Sequence, residues 1–171
     1  SPDGHQPMHS SNSRYSLVYN GEVYNFKALR RELEQSGSQF RGNSDTEVLL
    51  EAFSRWNPED VLPRLNGMFA LALWDKDSRR LLLARDRFGK KPLYYSFSGG
   101  VWLFASELKS LKQWPGLETG LDQVALLNYL RFAYVPTPRC IYRNISKLPA
   151  GSSVWLQPGD DSQLVKNYWN P

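Results

Sequence analysis

Over residues 14–20 the chain alternates weakly between apolar and polar side chains and is rich in aromatic and β-branched types, which predicts a strand. Two helical patterns follow. Phe26, Leu29 and Leu33 fall on one face of a helix that Asn25 can cap and Gly37 can end. Ser44-Asp45-Thr46-Glu47 is a capping box. Behind it Val48, Leu49, Ala52, Phe53 and Trp56 recur at helical spacing, and the pattern stops before Pro58. One more short helical piece is expected over 59–65. At Met68 the character changes. Residues 68–74 are an unbroken apolar run, Asp75-Lys76-Asp77-Ser78 reads as a turn, and 80–85 as a second strand. The pair is predicted to be a hairpin buried on both faces. Residues 93–97 and 101–105 repeat the pattern across Ser98-Gly99-Gly100. A short helix is expected over 107–111 and a longer one over 122–132, with Val124, Leu127 and Leu130 or Tyr129 turned inward. A last hairpin, 154–156 with 164–168, turns at Pro158-Gly159-Asp160-Asp161. Two helices, then strands with another helix later, predict helices layered on mostly antiparallel sheets.

Composition narrows the class. The chain has 171 residues, 41% hydrophobic and 13% aromatic, enough for one domain with a sizeable core. The net charge is +4, but Lys and Arg are scattered among acids rather than gathered on a basic stripe, so a nucleic-acid partner is not expected. No apolar run approaches a membrane span, and no signal-peptide pattern opens the chain. The single cysteine, Cys140, excludes an intrachain disulfide, and with only His5 and His9 besides, no zinc site is expected. A reducing cytoplasm is the default compartment.

The candidate chemistry lies at the end of the first strand. Asn20 offers a side-chain NH₂, and Gly21 a backbone N–H that no Cβ shields. Glu22 and Asp45 are carboxylates able to hold a substrate ammonium. An amino acid with a reacting carbonyl would use all four. An obvious nucleophile is not apparent beside them.

At this point the motifs resemble those of class II glutamine amidotransferase domains. Tyr19-Asn20-Gly21-Glu22-Val23-Tyr24-Asn25 is similar to the family's "NGEIYN", Ser44-Asp45-Thr46-Glu47 to "SDTE", and Leu65-Asn66-Gly67-Met68-Phe69-Ala70 to "LNGMFA". The segment from Ala84-Arg85-Asp86-Arg87-Phe88-Gly89 to Tyr95 resembles "ARDRFGIKPLYY", Ala105-Ser106-Glu107-Leu108-Lys109 "ASELK", and Lys147-Leu148-Pro149-Ala150-Gly151 "KLPPG". Each is weak alone, but six in the family's order are specific. The later motifs favour the glutamine-hydrolysing asparagine synthetase branch.

The resemblance implies an α+β fold of the N-terminal-nucleophile hydrolase kind, a four-layer sandwich with two antiparallel sheets between helical layers. It implies that an N-terminal cysteine attacks the glutamine side-chain amide, its own α-amine relaying the proton. Ammonia then passes to a C-terminal synthetase domain, where ATP and Mg serve the amidation of aspartate. By motif position, Asn20 and Gly21 match the oxyanion hole, and Glu22 and Asp45 the contacts to the glutamine α-amino group. The expected partners are glutamine, that synthetase domain and, by analogy, a second copy in a homodimer. The family's initial Cys-Gly and "HRGPD", and the "SGGxDS" loop of the synthetase, are not in the sequence, while Gly4-His5-Gln6-Pro7-Met8 resembles "GHQPM". Residues 1–171 are therefore expected to be a partial glutaminase domain, without cofactor, inactive by itself, and with a sheet edge open to self-association.

Blander readings stand beside these. Ser1 sits in a turn-forming sequence rather than at a nucleophile's place on a strand. Cys140 reads as structural, Glu47 as a cap, and Asn20-Gly21 has a hairpin turn as its alternative. Arg85, Asp86 and Arg87 are assigned to structural ion pairs or a domain interface. Two other functions remain: a ligase of the same lineage acting on a sugar, peptide or β-lactam precursor, and a non-catalytic interaction module of the same fold.

Overall fold

The computed structural model describes residues 5–170, so Ser1 lies outside the described residues. Six antiparallel strands form the larger sheet. Their order is β1 (Met8–His9), β2 (Tyr15–Val23), β3 (Gly67–Asp75), β4 (Arg80–Arg85), β8 (Ser152–Leu156) and β9 (Val165–Asn167). A smaller sheet runs β6 (Val101–Ala105), β5 (Tyr94–Ser98) and β7 (Ser146–Lys147). The turn between β5 and β6 has positive φ at both Gly99 and Gly100, as a tight hairpin demands.

Alternation along the strands sets the layers. On β2, Tyr15, Leu17, Tyr19 and Val23 turn to one face. They are buried under α1 (Phe26–Gln35), α2 (Asp45–Arg55) and the short α3 (Pro58–Val61), which contribute Leu29, Leu33, Val48, Leu49, Phe53 and Val61. On the opposite face Ala70, Ala72 and Leu83 meet Leu93, Tyr95 and Leu148 of the smaller sheet's side. Leu111, Cys140 and Ile145 close a third cluster around Tyr94 and Leu103, with α4 (Leu108–Leu111) over it. Two antiparallel sheets thus lie between helical layers. β3 and β4 form the expected hairpin, and residues 69–73 are buried without interruption, as a strand covered on both faces requires.

Several local expectations change. Asn20 and Gly21 are not a turn, because β2 continues through them to Val23. As expected, α1 ends at Gly37, in a Schellman motif with φ +91° and Ser38 N–H donating to Leu33 O at 2.9 Å. Its Asn25 does not cap it: the side chain spans to the loop before β3, donating to Arg64 O at 2.9 Å and accepting from Asn66 N–H at 3.0 Å. The capping box of α2 is half formed. Ser44 Oγ accepts from Glu47 N–H, but the Glu47 carboxylate accepts from the N–H groups of Arg41 and Gly42 at 2.7 and 2.9 Å.

The largest correction is at α5 (Gln123–Phe132). Its start is as expected, with Asp122 accepting from Ala125 N–H at 3.0 Å. Its apolar face is not turned inward. Ala125 is its one buried residue, whereas Leu127 is 66% and Leu130 73% exposed, and Val124 and Tyr129 are about half exposed. The helix rests on its smallest side chain, so its 3.6 period marks an apolar face that no described residue covers.

Candidate active site

The ladder between β2 and β3 decides where Asn20 and Gly21 point. Tyr24 N–H donates to Asn66 O at 2.7 Å, and antiparallel pairs alternate between hydrogen-bonded and open. Asn20 is therefore bonded to Ala70, while Gly21 lies opposite Phe69 in an open pair. Phe69 is engaged from its far side, where Asp86 supplies both a carboxylate to its N–H and an N–H to its carbonyl. The Gly21 N–H consequently faces the β1 edge of β2. Along that edge the Tyr19 N–H and carbonyl bond the Gln6 carboxamide at 2.6 and 2.8 Å, and the Val23 N–H donates to Asp45 Oδ2 at 3.0 Å. Between these two filled positions, the Gly21 N–H has no acceptor among the described residues. Glycine is required here. At φ +154°, a Cβ would lie 2.1 Å from the Met68 carbonyl oxygen.

Asn20 faces the space between the sheets, as its partner Ala70 does, and its Nδ2 donates to Ser106 Oγ at 3.1 Å. The exposed Glu22 follows on that same face. Asp45 comes from the helix layer. Its Oδ2 takes the Tyr19 hydroxyl at 2.9 Å as well as the Val23 N–H. Burial pushes the Tyr19 hydroxyl pKa well up, with the Asp45 charge next in effect and Glu22 adding a smaller share. Both carboxylates therefore act on one hydroxyl. The four residues singled out in the sequence lie on one short stretch of β2 and the helix packed on it: Asn20 and Glu22 on the inter-sheet face, the Gly21 N–H at the edge, and Asp45 on the helix side. That set of groups matches an oxyanion and an ammonium.

Three residues that the motifs do not single out hold this edge: Gln6, Tyr19 and Ser106. All three lie inside quoted motifs, but only the tertiary contacts reveal what they touch. The segment Arg85-Asp86-Arg87 corrects the expectation of ion pairs. Asp86 is fully buried and accepts from four backbone N–H groups, those of Phe69, Phe88, Lys90 and Lys91. Arg85 donates to the carbonyls of Gly89, Lys91 and Leu148 at 2.7–2.8 Å. These charges neutralise loop backbone, not each other. Cys140 is buried in the third cluster. A concavity of 540 Å³, bordered by His9, Ser11, Phe40 and Glu51, lies away from the four residues. The Glu47 carboxylate on its wall already holds two backbone N–H groups. Among the described residues, no three His, Cys, Asp or Glu side chains gather as a metal site would need.

Glutamine phosphoribosylpyrophosphate amidotransferase from B. subtilis, solved with ADP and GMP, superposes with a TM-score of 0.64 at 22% identity. The match covers 96% of this chain and 32% of that one. A structure described as the allosteric regulatory enzyme of purine biosynthesis gives 0.68 at 21% identity, covering 96% and 31%. These likenesses show the fold. Asparagine synthetase [glutamine-hydrolyzing] 1 of Bacillus subtilis is 39% identical over 159 residues, 93% of this chain and 25% of that protein. Asparagine synthetase B of Escherichia coli K12 is 34% identical over 97% of this chain and 25% of its own length. The chain spans about a quarter of the length of these relatives. The model of the glutamine amidotransferase domain matches residues 1–169. With that match across nearly its whole length, the chain belongs to the glutamine amidotransferase domain family.

Proposed function

We propose that this chain is the glutamine-binding part of a glutamine-hydrolysing asparagine synthetase. The observation that carries the reading is the Gly21 N–H, without an acceptor among the described residues, set next to Asn20 and two residues before the Asp45-bonded Val23 along the strand edge. A thiolate from an N-terminal cysteine outside this stretch adds to the glutamine Cδ. The carbonyl π electrons move to oxygen, and that oxyanion takes hydrogen bonds from Asn20 Nδ2 and Gly21 N–H. Collapse, with the proton that the cysteine α-amine took from the thiol passed to the leaving nitrogen, expels ammonia and leaves a thioester, which water hydrolyses to glutamate and free thiol. Glu22 and Asp45 hold the glutamine ammonium throughout, so they serve binding more than the chemical step.

The relatives named as asparagine synthetases support a synthetase portion as the partner that receives the ammonia, with aspartate as its acceptor. ATP and Mg would act in that portion. The Ser98-Gly99-Gly100 segment here is a hairpin turn and does not fit a phosphate loop. No helix among the described residues is long and apolar enough to cross a membrane, and a reducing cytoplasm suits the single, buried Cys140.

The experiment is a glutaminase assay on this chain and on a version extended upstream to an N-terminal cysteine. Activity is expected only on extension. It should fall about 10²-fold or more in Asn20→Ala, the scale of losing one oxyanion donor. Asp45→Ala should raise KM. Turnover by the short chain would overturn the assignment of the nucleophile, and a folded but silent extended chain would point to a non-catalytic module.

A further inference from the structure

We infer that Ser106 is a positioning residue for the Asn20 carboxamide; the inference rests on the oxyanion role proposed for Asn20. The Asn20 backbone is rigid, being bonded to Ala70 within the central ladder. Its side chain is not. It is exposed, it stands on the inter-sheet face, and two torsions separate the NH₂ from the backbone. Its one side-chain hydrogen bond among the described residues is to Ser106 Oγ at 3.1 Å, across 86 positions of sequence and from one sheet to the other.

Ser106 itself is well anchored. The preceding Ala105 is paired with Tyr94 in the smaller sheet, and α4 begins two residues later. The serine oxygen therefore stands as a fixed post against a mobile amide. A carboxamide NH₂ has two protons. With one held by Ser106 Oγ, rotation about the terminal torsion is stopped and the second proton keeps a single direction. Preorganised donors stabilise a transition state because they need no reorientation when charge appears. The hydroxyl thus acts through Asn20 and need not touch glutamine.

The test has two arms. In the chain as it stands, the ¹⁵N–¹H signals of the Asn20 side-chain NH₂ should show one slowly exchanging proton, and Ser106→Ala should make the two protons exchange alike. In the extended, glutamine-hydrolysing chain, Ser106→Ala should lower kcat about tenfold and leave KM within about twofold, a loss of transition-state but not ground-state contacts. Ser106→Thr, which keeps the hydroxyl, should restore most of the rate. In an Asn20→Ala background, Ser106→Ala should cost nothing more, because the two residues act as one unit. An undiminished kcat in Ser106→Ala, or an equal loss with and without Asn20, would overturn the inference. If Asn20→Ala itself kept full kcat, the oxyanion reading would fail, and that outcome is distinct from a failure at Ser106 alone.

Discussion

Tyr19 and Asp45 meet across the boundary between sheet and helix: the hydroxyl donates to Oδ2 at 2.9 Å, and the same oxygen accepts from Val23 N–H at 3.0 Å. One carboxylate oxygen thus ties α2 to β2, and Oδ1 has no partner among the described residues. Tyr19→Phe removes one bond and leaves the carboxylate partnered by Val23. It should cost about 1 kcal/mol in urea unfolding, the usual net worth of such a bond. In the glutamine-hydrolysing form it should raise KM with little change in kcat, because it loosens a binding carboxylate. A kcat loss with KM unchanged would contradict this division of roles.

Gly21→Ala tests the strand edge directly. The new Cβ would meet the Met68 carbonyl oxygen at 2.1 Å and Phe69 Cα at 2.7 Å, both backbone, on a residue at φ +154°. Neither side can give way cheaply in a central ladder. The variant should lose roughly 2 kcal/mol or more of stability, since both strain and a clash are imposed. Chemical denaturation followed by tryptophan fluorescence would measure it, and a wild-type midpoint would rule out the stated backbone geometry.

Asp86→Ala should be more severe than any surface substitution. Four backbone N–H groups, those of Phe69, Phe88, Lys90 and Lys91, would lose their acceptor around a fully buried position. At about 1–3 kcal/mol for each group left unsatisfied, a total loss of at least about 4 kcal/mol is expected. A calorimetric melting point would report it. Unfolding within 0.5 kcal/mol of wild type, the range of about ±0.5 typical of surface changes, would show that the knot is dispensable.

Acid should unfold the chain partly through Asp75. The Arg14 guanidinium, bonded to it at 2.8 and 3.0 Å, is the main cause holding its carboxyl down at about 2, from an ordinary 3.8. A folded pKa below the unfolded one means stability that is present above about pH 4 and lost as pH falls toward 2. Arg14 is 42% exposed, so solvent screening trims the contribution to about 1–2 kcal/mol. Asp75→Asn should flatten the stability profile between about pH 4 and pH 2 relative to wild type. Equal slopes would assign the acid limb to other groups.

The exposed face of α5 gives a prediction of the opposite kind. Leu127→Glu and Leu130→Glu replace side chains 66% and 73% exposed, so stability should move by no more than about 0.5 kcal/mol. The same changes should reduce any concentration-dependent association of this chain, since they break up an exposed apolar patch. Sedimentation velocity and a melting curve on one sample would check both. A clear loss of stability would mean that the face packs within the chain.

Much of the fold was legible because its signals are local. The apolar run before the turn at Asp75 requires a strand buried on both faces, and Gly37 marks a helix end because few residues tolerate its φ. The helical spacing from Val48 to Phe53 likewise names a buried face that the structure does bury. The same period misled at α5, where pattern reports that a face is apolar and not whether anything covers it. β1 and β7, of two residues each, are too short to show any period. The residue types at Asn20, Gly21, Glu22 and Asp45 could be read from the chain alone, because donors and acids are named by their atoms. Which N–H has no acceptor among the described residues was decided by the register of β2 on β3, and which carboxylate oxygen is spoken for by the approach of Tyr19. The serine beside Asn20 lies 86 positions away. Such pairings depend on how two sheets come together, and no local preference encodes that distance.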